Sequence, residues 1–149
     1  MENLYTGLGD HIVEGPCCDA KKAVERIDRM NDKFDAEVLG FCLDTGHANL
    51  VGIDVEDFIV TLGHSLKVLH IHDNDGIMDL HQIPFTFTCN RENNASTDWE
   101  GFVNGLRQIN YQGNLCFETG PVLSSFPEVM KQDVLQFIAR IGKYFAEAI

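Results

Sequence analysis

Apolar positions along this chain change period several times, and each change marks an element. From Ala20 the apolar residues fall at 20, 23, 24, 27 and 30, the spacing of one helical face. Asp19 stands before them as an N-cap, so an amphipathic surface helix is expected over 20–30. Residues 38–43, Val-Leu-Gly-Phe-Cys-Leu, are instead a continuous apolar run that stops at Asp44. Short, uninterrupted and bounded, it predicts a strand buried on both faces of a parallel sheet. Asp54 caps a second helix to about Gly63, and residues 66–71 read as the next strand. A polar loop of about two dozen residues leads to Ser96-Thr97, a length that suggests a functional lid or a disordered excursion. Trp99, Phe102, Val103, Leu106 and Ile109 then mark a third helix. Residues 114–118 form a third strand after Gly113, and Pro127 opens a final helix to the C-terminus. Strand and helix alternating in this way predict parallel βα units.

The strands share a second feature: each ends in a polar residue, namely Asp44, His70 and Glu118. In a βα barrel the carboxyl ends of the strands lie on one face, so residues dozens of positions apart converge there. Each has an ordinary explanation alone. Asp44 caps the following turn, His47 and His72 are hydrogen-bonded loop residues, and Glu118 faces solvent. Together they make an oxygen-rich, nitrogen-containing set that suits a divalent ion such as Mn²⁺, Mg²⁺, Co²⁺ or Zn²⁺. No thiols cluster as a structural zinc site needs, so the expected metal is catalytic.

Composition narrows the partners. The chain has 149 residues, 44% of them hydrophobic and 23% charged, the balance of a folded globular chain. With 11 basic against 23 acidic residues the net charge is −12, which disfavours nucleic acid. No apolar run approaches the ~20 residues of a membrane span, and the N-terminus does not resemble a signal peptide. A cytoplasmic location is the expectation. Five cysteines, an odd number without framework spacing, are expected as reduced thiols, with Cys42 and Cys116 buried as small core residues. Phe34, Phe41, Phe58, Phe117, Phe137 and Phe145 are expected in the core. Phe85 and Phe87 either line a substrate pocket or bury themselves within their loop.

Three runs now carry a resemblance: Gly-Phe-Cys-Leu-Asp-Thr-Gly-His-Ala-Asn-Leu at 40–50, Leu-His-Ile-His-Asp-Asn-Asp-Gly at 69–76, and Phe-Glu-Thr at 117–119. The chain resembles the sugar phosphate isomerase/epimerase family of xylose-isomerase-like barrels, whose superfamily includes ketose 3-epimerases and endonuclease IV. The resemblance implies an α/β fold in which parallel βα units form the C-terminal half of a TIM (β/α)8 barrel, with residues 1–149 a single partial-barrel domain. It also implies one divalent metal held by Glu2, Asp44, His70 and Glu118, where Glu2 is assigned because Asn3 follows it. Glu118 and Glu2 would be the acid and base of proton transfer beside a ketose carbonyl, through an enediolate that the metal stabilises. His47 would contact the substrate. Asp79 and His81 are substrate-side positions that match an Asp-x-His pair holding a further metal in endonuclease IV. Asp73 is expected to orient a ligand imidazole. The resemblance implies a small sugar as substrate; no Gly-rich phosphate loop with a Lys is present, so these residues do not themselves support a phosphorylated one.

A full barrel takes about 250 residues, and only three strands with the tail of a fourth are counted here. Unpaired edges invite another chain. A homodimer, or a separately encoded N-terminal half, is therefore the expected partner. Two other functions stay open: an endonuclease IV-like nuclease at abasic sites, and an inactive truncated half barrel that only holds metal or a partner chain.

Overall fold

The computed structural model describes residues 1–87 and 96–149. Cys89 and the rest of the 88–95 stretch of the long loop lie outside the described residues. A hairpin of β1 (Tyr5–Leu8) and β2 (His11–Glu14) comes first, followed by α1 (Ala20–Phe34), β3 (Phe41–Asp44), α2 (Thr45–Leu50) and α3 (Val55–Leu62). A short 3-10 turn at Gly63–Ser65 leads into β4 (Leu66–Ile71), then α4 (Trp99–Gln108), β5 (Cys116–Phe117), α5 (Gly120–Ser125) and α6 (Glu128–Ala148). Strands β3, β4 and β5 form one parallel sheet in chain order, and Glu2 extends it by a parallel bridge to Cys42. Four parallel chain segments thus lie side by side, with helices in the connections, which is the arrangement of a partial βα barrel.

Aspartates start helices α1 to α4. Asp19, Asp44, Asp54 and Asp98 each accept a hydrogen bond from the backbone N–H three residues on, satisfying a donor the first turn leaves free. Helix α1 runs four residues past the expected end and stops at Asp35, whose left-handed φ of 49° closes it. Helices α3 and α4 pack closely because α4 carries Gly105 at the contact, where a Cβ would sit 3.0 Å from Ile59.

Among the described residues the sheet is covered on one face only. Phe41, Leu43, Leu69 and Ile71 are 1% exposed or less, packed with Ile59, Leu62, Phe102, Leu106 and Phe145. Residues of opposite parity point the other way: Val68 is 40% exposed, Cys116 is exposed and Cys42 is half-buried. The expectation of strands buried on both faces is therefore corrected, as is that of Cys42 and Cys116 as buried core residues. Side chains alternate along a strand, and here no described element covers the second face. Three further expectations change. Strand β3 begins at Phe41 and not at Val38, because Asn31 Oδ1 takes the N–H groups of Val38 and Leu39. Phe34 and Phe137 are more than half exposed and lie on outer helix faces. Phe85 packs its ring against Trp99 and Phe145, centroids 5.7 and 5.5 Å away, joining the helices and not a pocket at the strand ends.

Candidate metal centre

Parallel pairing brings four strand ends to one place. Asp44 stands opposite His70 in the register, Glu2 bridges to the neighbouring Cys42, and Glu118 follows β5 with its N–H on the Ile71 carbonyl at 3.1 Å. His70 is at the centre: its Nδ1 lies 3.2 Å from Glu2 Oε1, 3.6 Å from Glu118 Oε2 and 3.9 Å from Asp44 Oδ2. Asp44, His70 and Glu118 offer ligand atoms all within 4.8 Å of one another, and so do Glu2, Asp44 and His47. Three carboxylates this close repel one another unless a cation sits among them. The donor set, oxygens with one imidazole nitrogen, fits a divalent ion of the kind the sequence suggests.

The members differ in access. The Asp44 side chain is fully buried, whereas those of His70, Glu2 and Glu118 are 31%, 32% and 46% exposed. Asp44 is fixed from behind. As the α2 N-cap its Oδ1 accepts the His47 N–H at 2.7 Å, and the Asn3 side chain brackets its backbone, donating to Asp44 O and accepting from Asp44 N–H, both at 2.9 Å. Asn3 is fully buried. The Glu-Asn pair thus has a local reason: Asn3 ties the first chain segment to β3 while Glu2 stays at the open rim.

Beside this group lies a second one. His47 Nδ1 donates to the Asn3 carbonyl at 3.0 Å, and its Nε2 is 3.3 Å from Asp79 Oδ2. His81 Nε2 is 3.4 Å from the same oxygen, and its Nδ1 donates to the Glu118 carbonyl at 2.9 Å. Burial pushes the His47 imidazole down, but the Asp79 hydrogen bond, the charge of Asp44 and the Asn3 carbonyl outweigh it, raising its pKa to about 9. Burial acts upward on Asp79, and the hydrogen bond from His47 with the imidazoles of His81 and His72 more than reverses it, so its carboxyl is held low. Tyr5, on the hairpin, lays its ring edge-on to His47 at 5.1 Å.

Asp73 does not do what the sequence suggested. Its buried carboxylate accepts from the N–H groups of Asn74 and Phe87 and from Thr97 Oγ1, at 3.0 to 3.1 Å. It ties both ends of the long loop together, and burial raises its pKa. The residue that does reach a candidate ligand is His72, read from the sequence only as a loop histidine. Its Nε2 lies 3.0 and 3.1 Å from the two Asp44 oxygens. The signal was in the His-Ile-His spacing: in extended chain, residues two apart face the same way.

Comparison with known proteins agrees with this fold. The model of the family described as xylose isomerase-like TIM barrel matches residues 3–140. The chain belongs to the xylose isomerase-like TIM barrel family. An uncharacterized protein, y4fM, of Sinorhizobium fredii (strain NBRC 101917 / NGR234) is 28% identical over 101 residues, which is 68% of this chain and 30% of that protein. The matched region of the chain thus spans less than a third of its relative. No solved structure matches it. Among the described residues, no helix of this xylose isomerase-like chain is long and apolar enough to cross a membrane.

Proposed function

We propose that the chain carries the metal site and the acid–base pair of a sugar isomerase or epimerase, moving a proton at the carbon beside a ketose carbonyl. The observation that carries this reading is the arrangement of two accessible carboxylates, Glu2 and Glu118, on either side of His70 with the buried Asp44 behind. A divalent ion held by Glu2, Asp44, His70 and Glu118 would supply Lewis-acid stabilisation of negative charge on the sugar oxygens. Glu118 and Glu2 take and return the proton, one from each side, since both reach solvent while Asp44 does not. His47, held by the Asn3 carbonyl on Nδ1 and by Asp79 on Nε2, lines the substrate side of this group beside Asp44. Glu118→Gln is expected to lower Mn²⁺-dependent ketose epimerisation by about 10²–10⁴-fold with the thermal midpoint unchanged. Equal turnover in the variant would remove Glu118 from the reaction.

One observation favours a second reading, an abasic-site nuclease: beside the first group His81 Nε2 lies 3.4 Å from Asp79 Oδ2, so the Asp-x-His pair that the resemblance matches to a further metal is brought together. The net charge of −12 works against it. Nicking of abasic duplex at low salt by the metal-loaded chain would establish it. An inactive half barrel is the outcome if metal binds stoichiometrically and neither substrate is converted.

We further propose that another chain, a second copy or a separately encoded N-terminal half, completes the barrel over the uncovered face of the sheet. The exposed Val68 and Cys116 on that face, and the outer side of β5, unpaired among the described residues, support this.

A further inference from the structure

We propose that His72 is a positioning residue: it holds the Asp44 carboxylate in the orientation a metal ion requires, and Gly46 is glycine so that the His72 ring can stand there. The proposal rests on the metal reading above and adds to it the device that aims one ligand.

His72 lies one residue beyond β4 and is completely buried. With Nε2 donating to both Asp44 oxygens, the carboxylate loses its freedom to rotate about its last torsion. Oδ1 is further held by the His47 N–H. That leaves Oδ2 as the oxygen nearest His70 Nδ1, facing the cluster. The ring itself is gripped from several sides. The His81 imidazole stacks on it at 4.0 Å between centroids and 13° between planes. Thr45 Oγ1 bonds its backbone twice, donating to the His72 carbonyl at 2.7 Å and accepting its N–H at 3.0 Å. On the side of α2, a Cβ on Gly46 would overlap Cε1, Nδ1 and Nε2 of the ring at once.

Thr45 and Gly46 of the Asp-Thr-Gly-His run therefore both serve the histidine that in turn serves Asp44. Two motifs 25 residues apart by the Thr45–His70 contact close on each other as one unit. Among the described residues the buried His72 Nδ1 has no hydrogen-bond partner. An apolar ring would fill the same space without that unpaired nitrogen, so packing alone does not account for an imidazole here. What an apolar ring lacks is the donor on Asp44. Outer groups that orient ligands in this way commonly change metal affinity by 10–100-fold when lost.

The test is calorimetric titration of the metal-free full chain with Mn²⁺ alone. His72→Phe keeps a stacked ring and removes the donor, and its Kd is expected to rise about 10–100-fold. His72→Gln, which retains an N–H donor, should lose less. Gly46→Ala displaces the ring without removing any hydrogen-bonding atom and should weaken Mn²⁺ as His72→Phe does, so it serves where His72→Phe does not fold. Ile27→Val, a core change away from the strand ends, should lower the thermal midpoint and leave the Kd alone. A Kd unchanged in His72→Phe or Gly46→Ala, or one that shifts equally in Ile27→Val, overturns the positioning role while leaving the metal site intact. A wild-type chain that takes up no Mn²⁺ overturns the metal reading and this proposal with it.

Discussion

The two faces of the three-stranded sheet do different work with alternate residues of the same strands. On the helix side, Leu43, Leu69 and Ile71 are wholly buried in a continuous apolar core. On the other side, Cys42, Val68 and Cys116 are only partly covered, and the row ends in Asp44, His70 and Glu118 at the rim. The first face supplies the apolar burial, and the second carries the candidate ligands. A period of two separates them so cleanly that each can be changed with little effect on the other.

The largest effect should come from breaking the covered face. Leu69→Ala removes a fully buried side chain between the sheet and its helices and is expected to cost about 2–5 kcal/mol of stability, read from urea unfolding. If the loss is below ~1 kcal/mol, the helix side is not the core that the burial pattern describes.

A second effect of intermediate size belongs to the rim. In the metal-free chain, Asp79 and Asp44 hold the His47 pKa at about 9, against an ordinary 6.5. Because the folded value is the higher one, His47 contributes stability in full below pH ~6.5, and that contribution is lost as pH rises through about 9. The expected loss between pH 6 and pH 10 is about 1–3 kcal/mol, discounted for partial exposure. Asp79→Asn should flatten this part of the profile. An equal slope in the variant would show that other groups carry it.

The contrast between the faces also explains what the sequence made legible. Periodicity predicts elements whose burial is regular, so α1, β4 and α4 were readable, and the polar strand ends followed from them. Helix α2 was not, because six residues after Asp44 are set by one cap and not by a repeating stripe. The β1–β2 hairpin escaped for a related reason: most of its residues are exposed, so no alternation of apolar and polar residues announces it. Asp73 and His72 differ by strand parity. Asp73, bridged to Gln82, shares the parity of Ile71 and reaches Thr97 and Phe87, while His72 shares that of His70 and reaches Asp44. The shortfall on the second face of the sheet had another origin. A run such as Phe-Cys-Leu at 41–43 reads as buried on both sides whether or not the covering chain is present.

That last point yields the smallest effect on stability and the sharpest use of the comparison. Val68 is 40% exposed on the open face, so Val68→Asp should alter the unfolding free energy of the lone chain by no more than ~0.5 kcal/mol. In a completed barrel the same position points into a packed interior, where an unpaired carboxylate is strongly unfavourable. Light scattering should then show an assembled wild type and a monomeric Val68→Asp of nearly equal monomer stability. A wild-type chain that is itself a well-folded monomer at high concentration excludes the second copy as the partner.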